Sequence, residues 1–205
     1  MSKYATVLAL AVMMMWAGSS YADVHKCDAL GYQVNLPVGW QALDLQKMQT
    51  DPKLLETAVA NADKGPWKTA DKNLTGNVRQ MLNSGKIEYF TNSQYPDSII
   101  SVNETQGKLP KTDAEIISVC ESLPAELSKL AGKSIQVYNC QAGSVADSNA
   151  LFIAADAYAD GSKSFQYEVQ KSPNEILVFT ATCPDSSCEQ VHKEMWGIIS
   201  SVQFE

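Results

Sequence analysis

The chain has 205 residues, with 16 Lys and Arg against 23 Asp and Glu and a net charge of −7. That balance argues against nucleic acid or an anionic membrane surface as a partner. Arg79 is the only arginine, so no set of arginines is available to line a phosphate or carboxylate pocket.

The amino terminus reads as a secretory leader. Lys3 supplies a positive start, and residues 4–16 form an apolar run too short to span a bilayer. Ser20-Tyr21-Ala22 places small residues where a signal peptidase needs them, so cleavage is expected after Ala22; Ala17-Gly18-Ser19 is a weaker alternative. The residues before Cys27 do not resemble a lipoprotein signal, and no later segment reaches about 18 continuous apolar residues, so no membrane anchor is expected. Residues 23–205 are expected to form a single domain of 183 residues with net charge −8, because the leader removes one Lys and no acid. An exported protein is the expectation, periplasmic first and extracellular as the alternative.

Gly31-Tyr32-Gln33-Val34-Asn35-Leu36 alternates as a half-buried strand, Pro37 ends it, Gly39 turns the chain, and Trp40 folds back over the sheet end. Asp51-Pro52 starts a predicted helix with the stripe Leu54, Leu55, Ala58, Val59 and Ala62, stopped by Gly65-Pro66. Trp67 follows in a loop outside any periodic face. That makes it a candidate partner contact, against the plainer alternative that it packs at the core edge. Asp71 caps a second predicted helix through Leu82, closed by Gly85. Residues 86–91 and 98–103 read as strands. Thr112 and Glu115 form a capping box for the longest helix, which Pro124 inside it is expected to kink and Gly132 closes. Strands follow over residues 135–140, 150–158, 165–170 and 176–182, with Asp160-Gly161 turning the second into the third. The last of them is apolar on both faces, so it belongs mid-sheet between two helical layers. Ser186 and Glu189 are expected to cap a final helix carrying Val191, Met195, Ile198 and Ile199.

This order resembles the PsbP-like family. The points of likeness are Leu36-Pro37-Val38-Gly39-Trp40, the Asp160-Gly161 turn and Ile198-Ile199-Ser200-Ser201-Val202-Gln203-Phe204. The fold is shared by the photosystem II extrinsic protein, a nuclear Ran-binding import factor and bacterial periplasmic DcrB-type proteins. The resemblance implies an α/β/α sandwich with a central, mostly antiparallel sheet containing residues 32–36 and 176–182. It also implies an accessory or binding role. The leader and five cysteines depart from photosynthetic and nuclear members, so neither photosystem nor Ran binding carries over.

Cys27, Cys120, Cys140, Cys183 and Cys188 read first as disulfide formers in an oxidising compartment, with one left over. Cys183–Cys188 across a strand-to-helix corner is favoured, and Cys120–Cys140 would tie a helix to the next strand. A pair involving Cys27 is the alternative.

The two histidines, His25 and His192, lie in no recognisable nucleophile motif, and Gly-x-Ser-x-Gly, Gly-x-Gly-x-x-Gly and the P-loop are all missing. Asp156 and Asp160-Gly161 read as a hairpin turn in preference to a calcium loop, since Tyr158 stands at a ligand position. Cys188 and His192 share metal-ligand spacing, but a Cys188 in a disulfide makes a poor ligand, and His192 reads as an exposed helix histidine. Asn73-Leu74-Thr75 and Asn103-Glu104-Thr105 match the glycosylation sequon, which matters only in a eukaryotic host. If cleavage follows Ala22, Asp23, Val24 and His25 offer an α-amine, two backbone amides and an imidazole. That planar nitrogen set suits Cu(II) or Ni(II), the one metal or cofactor the sequence suggests. The functional expectation is a non-catalytic exported binding or accessory protein for an unknown protein or small ligand. The alternatives are a secreted factor acting on a host or competitor, metal binding through the mature N-terminus, and an enzyme with an unrecognised site.

Overall fold

A computed structural model describes residues 21–43, 84–157 and 160–205. The elements are β1 (Tyr21–Cys27), β2 (Tyr32–Pro37), β3 (Trp40–Leu43), β4 (Ile87–Asn92), β5 (Ile99–Gln106), α1 (Asp113–Ala131), β6 (Val137–Val145), β7 (Ser148–Asp156), β8 (Ser162–Ser172), β9 (Glu175–Pro184), α2 (Cys188–Ile199) and β10 (Gln203–Phe204). The helices expected over residues 51–82, with Trp67, Asn73 and Arg79, lie outside the described residues, as does Tyr158.

Seven strands form an antiparallel sheet in the order β3-β4-β5-β9-β8-β7-β6. β9 is central, as its two-sided apolar sequence requires; Leu177, Phe179 and Ala181 are fully buried toward α2, and Ile176 and Val178 toward α1. α2 covers one face and α1 lies over the other, which makes the fold an α/β sandwich. The expectation for residues 32–36 needs correction. β2 is not in the central sheet but is the middle strand of a separate sheet, β1-β2-β10. Pro37 cannot continue a ladder, and Gly39 sits at φ +93, where the chain turns before Trp40 opens β3. The alternation itself holds: Tyr32, Val34 and Leu36 are buried and pack with α2 on the same core, Tyr32 edge-on to Phe179 with ring centroids 5.8 Å apart.

Two further boundaries differ from expectation. β6 runs five residues beyond residue 140 and meets β7 at a two-residue turn, Ala146-Asp147, with φ of 47 and 62. A turn of positive φ at both positions favours Asn-Gly or Asp-Gly, so Ala-Asp carries little signal. α2 is capped at Ser187, and no side chain bonds its first turn. The Ser187 hydroxyl is spent on the Pro184 carbonyl (3.4 Å) and the Ser98 hydroxyl (3.3 Å). The capping box at Thr112 and Glu115 is complete in both directions, and Gly132 closes α1 in the left-handed region.

Candidate functional site

α2 places three kinds of side chain around its circumference. Cys188, Val191, Met195, Ile198 and Ile199 are buried between β2 and the large sheet. On one flank Glu194 accepts from the Trp40 indole Nε1 (2.6 Å), the Tyr95 hydroxyl (3.2 Å) and the Gln190 amide (2.8 Å). This anchors the helix toward the β3 side of the sheet. The other flank, His192 and Trp196 at i and i+4, faces β7 and β8. A disulfide from Cys183 at the end of β9 to Cys188 holds the first turn, with Cα atoms 5.2 Å apart. A second, Cys120–Cys140, ties α1 to β6, with Cα atoms 5.6 Å apart, and Cys27 is the free thiol.

Because α2 is only 12 residues long and is centred on β9 and β2, it leaves the outer strands of that sheet face uncovered. The result is a cleft of about 390 Å³ between α2 and strands β6–β8. Its wall is aromatic. Phe152 and Tyr167 are cross-strand partners with centroids 4.6 Å apart, and Trp196 lies 5.6 Å from Tyr167. His192 is stacked on Phe165 at 4.2 Å and on Phe152 at 5.3 Å. His192 is therefore half-buried against the sheet, not an exposed helix residue. Its Nε2 shares a hydrogen bond with the Tyr167 hydroxyl (2.9 Å). Burial holds the imidazole below its ordinary value and pushes the Tyr167 phenol up to about 12, so both rings are neutral at neutral pH. The floor comes from β6 and β7: Asn139, Gln141, Gly143 and Ala150. A Cβ added at Gly143 would meet nothing within 4 Å. None of the described residues lining the cleft carries a full charge at neutral pH. Such a lining suits a flat apolar or aromatic group stacked on rings and edged by amides.

A second polar cluster lies under β1. Glu88 of β4, 6% exposed, accepts from the Tyr32 hydroxyl and meets His25 Nε2 at 2.6 Å. Burial, together with the Glu88 carboxylate, pushes the nearby Cys27 thiol up to about 11. Asp23 is exposed, Val24 is 61% exposed, and both pair with β2, at Leu36 and Asn35. The ladder is irregular between Tyr21 and Asp23. The nitrogen set expected around His25 is thus held extended along β2, with the imidazole turned to Glu88.

Sequence reasoning singled out none of Phe152, Tyr167 and Trp196. Phe165 and Tyr167 do alternate along β8, and His192 and Trp196 share a helix flank. Cross-strand register is what joins the two patterns. Among the described residues no group of three His, Cys, Asp or Glu side chains is placed to hold a metal ion, and no helix is long and apolar enough to cross a membrane.

No protein-family model matches the chain, and no curated protein matches its sequence. The solution structure of cyanobacterial PsbP (CyanoP) from Synechocystis sp. PCC 6803 superposes with a TM-score of 0.54 at 11% identity, covering 93% of this chain and 96% of that one. The fold is PsbP-like. The Saccharomyces cerevisiae Ran-binding protein Mog1p aligns at 8% identity and TM-score 0.47, covering 89% of this chain and 94% of its own. The Pseudomonas aeruginosa type VI secretion immunity protein TplEi, solved with an "L" peptide, aligns at 12% identity and TM-score 0.47, covering 88% and 97%. At these identities the likeness concerns the path of the chain. The two disulfides fit an oxidising compartment.

Proposed function

We propose that this protein is a non-catalytic exported binding protein of the periplasm, whose ligand site is the cleft between α2 and β6–β8. The observation that carries the reading is an open cleft walled by Phe152, Tyr167, His192 and Trp196 with no ionised group among its described lining residues. Trp196 stays 44% exposed although its ring lies 5.6 Å from that of Tyr167, a large apolar surface left for a partner. Two features speak for binding over turnover. His192 finds Tyr167 as its hydrogen-bond partner, not a carboxylate that would orient a general base. The free thiol, Cys27, is pushed toward the protonated form, the reverse of an activated nucleophile.

The test uses the exported protein and N-acetylphenylalaninamide as a ring-bearing probe. Its addition is expected to shift the Trp196 indole N–H and the Gly143 amide in a ¹⁵N–¹H spectrum. Gly143→Leu sets a side chain on the floor at a position where an added Cβ meets nothing within 4 Å, and is expected to remove the Trp196 shift while leaving the melting temperature unchanged. An equal shift in the variant would place the ligand elsewhere. Recovery of the protein from the cytoplasm with both bridges reduced would overturn export.

A further inference from the structure

We infer that the partner is an extended peptide segment that adds to the free edge of β6 and sets one aromatic side chain into the cleft. This rests on the reading of the cleft as the ligand site and names what occupies it. β6 is the terminal strand of the seven-stranded sheet, pairing only with β7 among the described residues. Sheet edges are ordinarily guarded by Lys, Pro or inward charge. β6 has no such residue, and its one irregularity lies at its start, between Val137 and Asn139, ahead of the regular stretch Gln141–Val145: its sequence is Val-Tyr-Asn-Cys-Gln-Ala-Gly-Ser-Val, and most of it is exposed.

The ladder shows which groups are on offer. The two-residue turn makes Val145 and Ser148 a hydrogen-bonded pair, and antiparallel alternation then turns the N–H and C=O of Ala142 and Ser144 away from β7. Val145, Gly143 and Gln141 stand on the other set of positions, on the cleft face shared with their partners Ala150 and Phe152, so the side chains of Val145 and Gln141 flank an open place at Gly143. An added strand would follow the same period of two, so a residue beside Gly143 projects over the cleft while its neighbours pair with β6. The missing side chain at Gly143 leaves room for that ring. Charge supports the same occupant. The neutral cleft takes an uncharged centre, while the exposed Asp147 at the hairpin tip and a net charge of −7 suit lysine ends. A free aromatic molecule would use the cleft but leave the edge groups unmet.

The experiment is a titration with heptapeptides carrying Trp, Phe or Tyr at the centre, β-branched residues beside it and Lys at both ends. N-acetyltryptophanamide serves as the ring-only probe. At least one peptide is expected to bind about tenfold tighter than the ring alone, the gain of two or three added hydrogen bonds, and to shift the Ala142 and Ser144 amides. Ala142→Pro deletes an outward donor without touching the β6–β7 ladder and should return the peptide to the affinity of the ring alone. The same peptide N-methylated at its pairing residues should lose as much against the unaltered protein, which keeps the test independent of how the variant folds. Equal affinity of peptide and ring, or indifference to N-methylation, overturns strand addition while leaving the cleft as a ring site. Loss of ring binding alone in Gly143→Leu, with tight peptide binding retained, overturns the cleft's part instead. Absence of both peptide and ring binding overturns both readings.

Discussion

The two helices among the described residues are held by opposite means. α1 carries strong local signals at both ends, despite Pro124 in its interior: a complete capping box, acids in its first turn, Lys129 in its last and a left-handed glycine cap. Yet none of its 19 residues is buried, and Ile117 and Leu130 are 56% and 70% exposed. α2 has no side-chain cap, but five of its 12 residues are buried in the main core. Capping stabilises a helix by about 1 kcal/mol, whereas each fully buried apolar side chain contributes about 1.5–3 kcal/mol. α1 is therefore a locally specified element tethered by partial contacts of Val119 and Leu123 and by the Cys120–Cys140 bridge, while α2 is specified by packing. The candidate site lies beside the packed helix, where His192 and Trp196 inherit its rigidity.

The contrast breaks most visibly at the cores of the two helices. Met195→Ala is expected to cost about 2–5 kcal/mol, whereas Ile117→Ala should stay within about 0.5 kcal/mol, read by chemical denaturation. A comparable loss from both would mean that α1 is buried after all. Replacing Cys120 and Cys140 together by Ser removes a loop closed over 20 positions and should cost about 3 kcal/mol. Hydrogen exchange should then speed up over α1 and leave α2 protected. Thr112→Ala deletes half of the capping box and should cost about 1 kcal/mol, whereas Ser187→Ala, which removes no cap bond, should leave the first turn of α2 unfrayed in the same exchange experiment.

The smaller effects concern titration and metal. Burial lowers the His192 pKa below its ordinary 6.5, so the unfolded chain binds the proton more readily. The contribution of the neutral ring is complete above about pH 6.5 and is lost as the pH falls through that value toward the depressed one. Stability measured between pH 7 and pH 5 should fall more steeply in the native protein than in His192→Phe, and equal slopes would rule out this histidine as the cause. For the amino-terminal nitrogen set we propose Cu(II) or Ni(II) binding in competition with Glu88. A chain beginning at Asp23 should give a square-planar absorption band with Cu(II), and Glu88→Gln should strengthen it by weakening the hold on His25. An unchanged band in His25→Ala would end that proposal.

Local sequence was enough to determine the elements with strong local signals. The Thr112 box, the Gly132 cap, the alternation in β2, the two-sided apolar run of β9 and the short Cys183–Cys188 bridge all depend on residues within a few positions of one another. The partners of those elements were decided only in three dimensions. Alternation in Tyr32, Val34 and Leu36 says that one face is buried but not in which sheet, and pairing with β1 and β10 placed β2 apart from β9. The Ala146-Asp147 turn adopts a backbone its residues do not advertise, because the β6–β7 ladder imposes it. Glu88 sits in a strand like any surface acid until Tyr32 and His25, 56 and 63 positions away, turn its burial into a satisfied network. The cleft has the same origin. Phe152, Tyr167 and His192 are ordinary residues in their own segments, and only cross-strand register and the short reach of α2 stack them into a wall.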